Sequence, residues 1–145
     1  MAAERRASVT WKGDLRSGSG TIDEVGSGVF GPLDVSWDAR SNESPSGKTS
    51  PEELIAAAHA SCFSMALANG LAKAGTPPER LGTSAVVTFV PGTGITKIAL
   101  TVRGSVPGLD AEGFHAAAED ARKNCPVSQA LAGVPEITLD ASLNS

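Results

Sequence analysis

Between Leu54 and Ala72 the chain reads LIAAAHASCFSMALANGLA, nineteen positions without a formally charged residue. Helix-start signals precede it. Ser50 suits the N-cap, Pro51 the first helical position, and Glu53 closes a capping box three residues after the cap. Glu52 and Glu53 add negative charge where the helix dipole favours it, and Gly75 with Thr76-Pro77-Pro78 ends the segment. The pattern predicts one long helix over 50–75. A helix that is small or apolar on every side has no solvent face and should be buried. Its length would permit a membrane span, but Ala dominates, His59, Ser61, Ser64, Asn69 and Gly70 dilute it, and no aromatic belt flanks it. A tightly packed core helix is the reading, with no membrane. A chain of this size hardly covers such a helix all round, which hints at a partner subunit.

The other elements are shorter. Ala7–Trp11, Gly20–Val25 and Phe30–Trp37 are strand-like, separated by Lys12-Gly13-Asp14 and further glycines, and predict an N-terminal antiparallel meander. Asp38-Ala39-Arg40 follows, and 41–50, with Asn42, Pro45 and Gly47, reads as a polar loop. After the helix, Leu81–Val90 alternates with Ala85, Val87 and Phe89 on one face. Ile95–Val102 returns with Ile98, Leu100 and Val102 inward, joined through Pro91-Gly92-Thr93-Gly94. Asp110 caps a second helix reaching about Lys123, with Phe114, Ala117, Ala118 and Ala121 at helical spacing. The residue before a proline is pushed out of helical geometry, so Cys125 sits at a break, as N-cap of a short helix that Pro126 begins. Ile137, Leu139 and Ala141 alternate in a final strand. The order βββ-α-ββ-α-β is an α+β pattern of antiparallel sheet and helices.

At 145 residues the expectation is a single domain, 1–145. A net charge of −4 and a pI near 5.1 give no electrostatic case for nucleic acid, and Arg5-Arg6 is too short for a basic arm. The N-terminus carries no long apolar run, so no secretory signal is read and a cytoplasmic location is expected. No phosphate-binding glycine loop and no metal-ligand spacing occurs, so neither a cofactor nor a metal is expected.

The chemistry-bearing candidates are two cysteines 63 positions apart. Cys62, in the alanine-rich helix, is either a small packed hydrophobe or a nucleophile; His59 lies one turn before it on roughly the same face. Cys125, at a helix start, sits where backbone N–H groups stabilise a thiolate; otherwise it is an incidental cysteine in a turn. Together they suggest a working dithiol, without establishing that they meet. A thiolate also calls for a cation, and Arg16, Arg40, Arg80, Arg103, Arg122 and several lysines are candidates, each otherwise an ordinary solvated surface charge.

In SPEELIAAAHASCF and NCPVSQAL, and in WKGDLRSGSGT, ITKIALTV, VPGLD and EITLDASL, the sequence resembles the OsmC/Ohr family of osmotically inducible and organic-hydroperoxide-resistance proteins. His59 after three alanines, and Val127-Ser128-Gln129 after Cys125-Pro126, favour the OsmC branch. Ser50 stands where that family usually has Asn, and both are good caps. The resemblance implies an OsmC-like fold, with antiparallel sheets wrapped around two long central helices in an intertwined homodimer. It implies a peroxidase that reduces organic hydroperoxides, and hydrogen peroxide less well, to alcohols. In that reading Cys62 is the peroxidatic cysteine, passing through a sulfenic acid to a Cys62–Cys125 disulfide that an external thiol or dithiol reduces. Arg40 holds the thiolate and peroxide, and Glu52 orients Arg40. Glu52 and Cys62 are ten positions apart, about 15 Å along one helix; two helices packed antiparallel across a dimer axis would bring one chain's glutamate towards the other's cysteine. The rival readings are a non-enzymatic dimer that binds a hydrophobic ligand in an apolar groove, and a redox sensor. A hydrolase is disfavoured by the lack of GxSxG.

Overall fold

The computed structural model describes residues 2–43 and 47–144; Pro45, part of the expected polar loop, lies outside them. The chain forms two compact units, 1–51 and 52–145.

The first unit holds the meander, as expected. β1 (Ala7–Lys12) pairs antiparallel with β2 (Ser19–Val25), and β2 with β3 (Leu33–Val35). The third strand ends two residues earlier than its sequence suggested. Ser36 turns the chain by accepting a hydrogen bond from the Ala39 N–H at 3.1 Å, and Trp37 opens a short helix, α1 (Trp37–Ser41), instead of closing the strand.

The long helix, α2 (Pro51–Lys73), lies in the second unit from its second residue, Glu52, onward. Its end is a complete Schellman motif. The Thr76 N–H donates to the Leu71 carbonyl at 2.9 Å and the Gly75 N–H to the Ala72 carbonyl at 3.0 Å, with Gly75 at φ +90°. The expectation of burial on all sides needs correction for the single chain. His59, Phe63, Leu67 and Leu71 form one buried stripe at i, i+4 spacing, while Ala58, Ser61, Met65 and Asn69 are exposed. Small residues leave the composition of a helix silent about how many of its faces are covered. The helix is long and apolar enough to cross a membrane by length and composition alone, yet Phe63, Leu67 and Leu71 bury in a protein core.

β4 (Arg80–Val90) and β5 (Gly94–Ser105) form the expected hairpin, turning through Pro91-Gly92 with Gly92 at φ +82° and the Thr93 N–H donating to the Val90 carbonyl at 2.9 Å. α3 (Ala111–Asn124) is capped by Asp110, which accepts from the Gly113 N–H at 2.7 Å. α4 (Pro126–Ala130) follows, then β6 (Glu136–Leu143). β6 pairs with β5 in parallel, so this sheet is mixed, not purely antiparallel, and β5 is its central strand. The reason is the connection: α3 and α4 carry the chain back along the sheet, so it re-enters in the same direction. Register places Val87, Ile98 and Ile137 abreast, and likewise Ala85, Leu100 and Leu139. That face packs with Phe63, Leu67 and Leu71 of α2 and with Phe114, Ala118 and Ala121 of α3 in one core. Ser64 on α2 and Thr83 on β4 tie helix to sheet through hydroxyls 2.7 Å apart.

Candidate active site

The packing of α2 and α3 on one sheet face brings the two cysteines together. Cys125 ends α3 and begins α4. Its N–H still closes α3 on the Ala121 carbonyl at 2.9 Å, and its carbonyl accepts from the Gln129 N–H at 3.0 Å. Its backbone is extended, φ −57° and ψ 125°, as a residue before proline requires, which turns the side chain into the core. Cys62 comes from the middle of α2 and packs on that core while remaining half-buried; Cys125 is fully buried. Both are free thiols, and each perturbs the titration of the other.

The first turn of α4 supplies the local electrostatics. Val127 and Ser128 lie in the turn that Cys125 begins and act on its titration, although Cys125 makes no side-chain capping bond to α4. Burial pushes the Cys62 thiol up from its ordinary value, and Cys125 adds to that rise. Burial acts upward on Cys125 as well. It is outweighed by Cys62, Ser128 and Val127, so the Cys125 thiol is held below its ordinary value.

α2 and α4 also share a buried polar pair. His59 Nε2 is 2.7 Å from Ser128 Oγ, and both residues are buried. Burial lowers the pKa of His59, so the imidazole is neutral. Its Nδ1 has no hydrogen-bond partner among the described residues. Sequence reasoning placed His59 near Cys62 but gave Ser128 no role. The available signal was its position two after Pro126, which puts its N–H and hydroxyl at the start of α4.

Glu52 is buried in the first turn of α2, about 15 Å along the helix from Cys62, so one helix does not bring those two together. Arg40 sits half-buried in the last turn of α1, in the first unit. Of the other candidate cations, Arg103 pairs with Asp140 at 3.1 Å and Arg122 with Glu119 at 2.8 Å. Among the described residues no group of three or more His, Cys, Asp or Glu could hold a metal ion.

Comparison with known proteins agrees with this architecture. Residues 42–140 match the family described as OsmC-like protein. The chain is 43% identical over 148 residues to Peroxiredoxin OsmC of Escherichia coli K12, covering all of both chains. In fold it is similar to an organic hydroperoxide resistance protein from Elizabethkingia anophelis (TM-score 0.72, 24% identity, 99% and 100% of the two chains). It is also similar to an OsmC-like protein from Mycoplasma pneumoniae (TM-score 0.66, 19% identity, all of both chains). The α+β architecture, the paired cysteines on α2 and at the start of α4, and these matches together make the chain a member of the OsmC-like protein family.

Proposed function

We propose that the chain is a thiol-dependent peroxidase that reduces organic hydroperoxides to alcohols through Cys62 and Cys125. The observation that carries the reading is a half-buried thiol packed against the core that holds a fully buried one. The accessible member suits attack on a substrate from outside, and the buried member suits capture of the product of that attack. The family relationship, with a relative named a peroxiredoxin, supports the same reaction class.

In the reaction, the Cys62 thiolate attacks the terminal oxygen of the hydroperoxide. The O–O bond breaks, the alkoxide leaves and takes a proton as the alcohol, and Cys62 becomes a sulfenic acid. The Cys125 thiolate then attacks that sulfur; the S–O bond breaks, hydroxide leaves as water after protonation, and a Cys62–Cys125 disulfide forms. An external thiol or dithiol returns both residues to thiols. Arg40 supplies the cation that favours charge on Cys62 over Cys125 and stabilises the leaving oxygen, and Glu52 holds that guanidinium. The two units work as one domain, in a homodimer whose second copy covers the exposed stripe of α2. The helical separation of Glu52 from Cys62 fits a site built by both chains. The apolar and small residues around Cys62, among them Phe63, Met65 and Ala66, suit an organic rather than an inorganic peroxide.

The test is a thiol count with intact mass on the reduced protein after one equivalent of cumene hydroperoxide. Two thiols falling to none within seconds, with loss of two hydrogens, is expected. Persistence of both thiols refutes the proposal and leaves a protein whose cysteines only pack, in line with the ligand-binding alternative.

A further inference from the structure

The disulfide chemistry uses Cys125, yet nothing in it explains why a neutral histidine is buried against a serine in the turn that Cys125 begins. A buried imidazole with one nitrogen unpartnered is destabilising unless its other contacts compensate. His59 Nε2 has one such contact, the Ser128 hydroxyl at 2.7 Å, and Ser128 stands at the turn that faces Cys125. The residues come from two elements, α2 and α4, and are 69 positions apart. A chain of polar groups therefore runs His59, Ser128, Cys125, Cys62.

We infer that His59 and Ser128 are positioning residues that prepare Cys125 for the second chemical step. His59 Nε2–H donates to Ser128 Oγ, which turns the single hydroxyl proton of Ser128 towards the Cys125 sulfur. The hydroxyl then donates to the thiolate and holds it ready in a dry site. The unpartnered nitrogen is in this arrangement the Nδ1 lone pair, an acceptor, while every proton of the chain is used. His59 neither gains nor loses a proton overall: the proton of the Cys125 thiol ends on the water released when the S–O bond of the Cys62 sulfenic acid breaks. Among the described residues the titratable group that acts on Cys125 is Cys62, from α2; His59, also from α2, contacts Ser128. The inference rests on the peroxidase reading above.

The consequence is a particular pH signature. Losing the hydroxyl raises the Cys125 pKa. For each unit of rise the thiolate fraction falls tenfold below that pKa while the thiolate becomes about threefold more nucleophilic, so disulfide formation slows about threefold. Above both pKa values only the nucleophilicity remains, and the variant becomes about threefold faster. The rate profiles must therefore cross.

The experiment follows sulfenic acid loss and disulfide formation by rapid mixing and quenching after one equivalent of cumene hydroperoxide, from pH 5.5 to 10. The proteins are wild type, Ser128→Ala, Ser128→Thr, His59→Asn and the double variant Ser128→Ala/His59→Asn, each first shown folded by circular dichroism. Crossing profiles for Ser128→Ala, retention of the wild-type profile in Ser128→Thr, and a double variant no worse than Ser128→Ala are expected. A Ser128→Ala profile that is unchanged, or lowered by one constant factor at all pH values, overturns the inference. Should Ser128→Ala fail to fold, His59→Asn carries the same test, with a smaller shift in the same direction expected and an unchanged profile overturning the inference. Wild-type protein that forms no disulfide overturns the peroxidase reading and this inference with it; wild type that forms it, beside an indifferent Ser128→Ala, overturns the inference alone.

Discussion

Gly104 lies on the central strand, β5, opposite Leu81 of β4 and Leu143 of β6, and a Cβ placed there would stand 2.6 Å from Phe114 Cζ and 2.7 Å from Cε1. Carbon atoms in contact sit about 3.5–4.0 Å apart, so Gly104→Ala forces a movement of about 1 Å. Phe114 is completely buried and β5 is hydrogen-bonded on both edges, so neither the ring nor the strand yields easily. What remains is for α3 to lift from the sheet. Overpacking of this kind costs about 1–3 kcal/mol, which for a chain of this length lowers the melting temperature by about 3–10 °C. Because α3 ends at Cys125, the displacement also reaches the thiol pair, and disulfide formation should slow. The assay is thermal unfolding by circular dichroism in reducing buffer, with Gly133→Ala as control, since a Cβ at Gly133 meets nothing within 4 Å. Adding Phe114→Leu to Gly104→Ala removes ring atoms from the clash and should make the pair less destabilising than the sum of its parts. A Gly104→Ala protein that melts within about 1 °C of wild type would refute the claim that α3 seats on β5 through this glycine.

Three further expectations follow from the site and its surroundings. Cys125→Ser should consume one equivalent of hydroperoxide and then stall, with Cys62 passing to sulfinic acid under excess peroxide; mass spectrometry of the Cys62 peptide reads this, and sustained turnover with dithiol would contradict it. Met65, 72% exposed on the open stripe of α2, should tolerate Glu in a monomer but not in a helix-paired dimer, so Met65→Glu should sediment as a smaller species than wild type at equal concentration. Folding stability should fall as pH drops below about 6.5: burial depresses the folded-state pKa of His59, the unfolded chain takes up the proton first, and the contribution is full only above the unfolded value. His59→Asn should flatten that limb in urea unfolding across pH 5–7, and an unchanged slope would count against the imidazole as its source.

Much of the architecture was legible because local chemistry marks it. Pro51 and Gly75 bracket α2, Pro91-Gly92 fixes the β4–β5 turn, and Asp110 and Pro126 start the two later helices where the sequence suggested. What escaped was set by relations between distant segments. Alternation along Ile137, Leu139 and Ala141 has the same period whichever way a strand runs, so it could not announce that β6 is parallel to β5. Trp37 carries strand propensity, and only the Ser36 cap shows that the chain has already turned. The cysteines were identifiable by setting, one in a helix and one before a proline. Their meeting depends on two helices sharing a sheet face, and the His59–Ser128 bond spans 69 residues that no local pattern connects.

The parallel partner of β5 sets an order of assembly. β4 and β5 are neighbours in sequence and can zip through a tight turn, but Lys97 must wait for Glu136, 39 positions later, before the second edge of the central strand is covered. Pairings of that separation form slowly, and until then the edge is open to strands of other molecules. The segment that must swing across to close it is the one that carries Cys125. A chain caught before closure therefore leaves Cys62 without Cys125 beside it, so the late step that covers the open edge is also the one that brings the two thiols together.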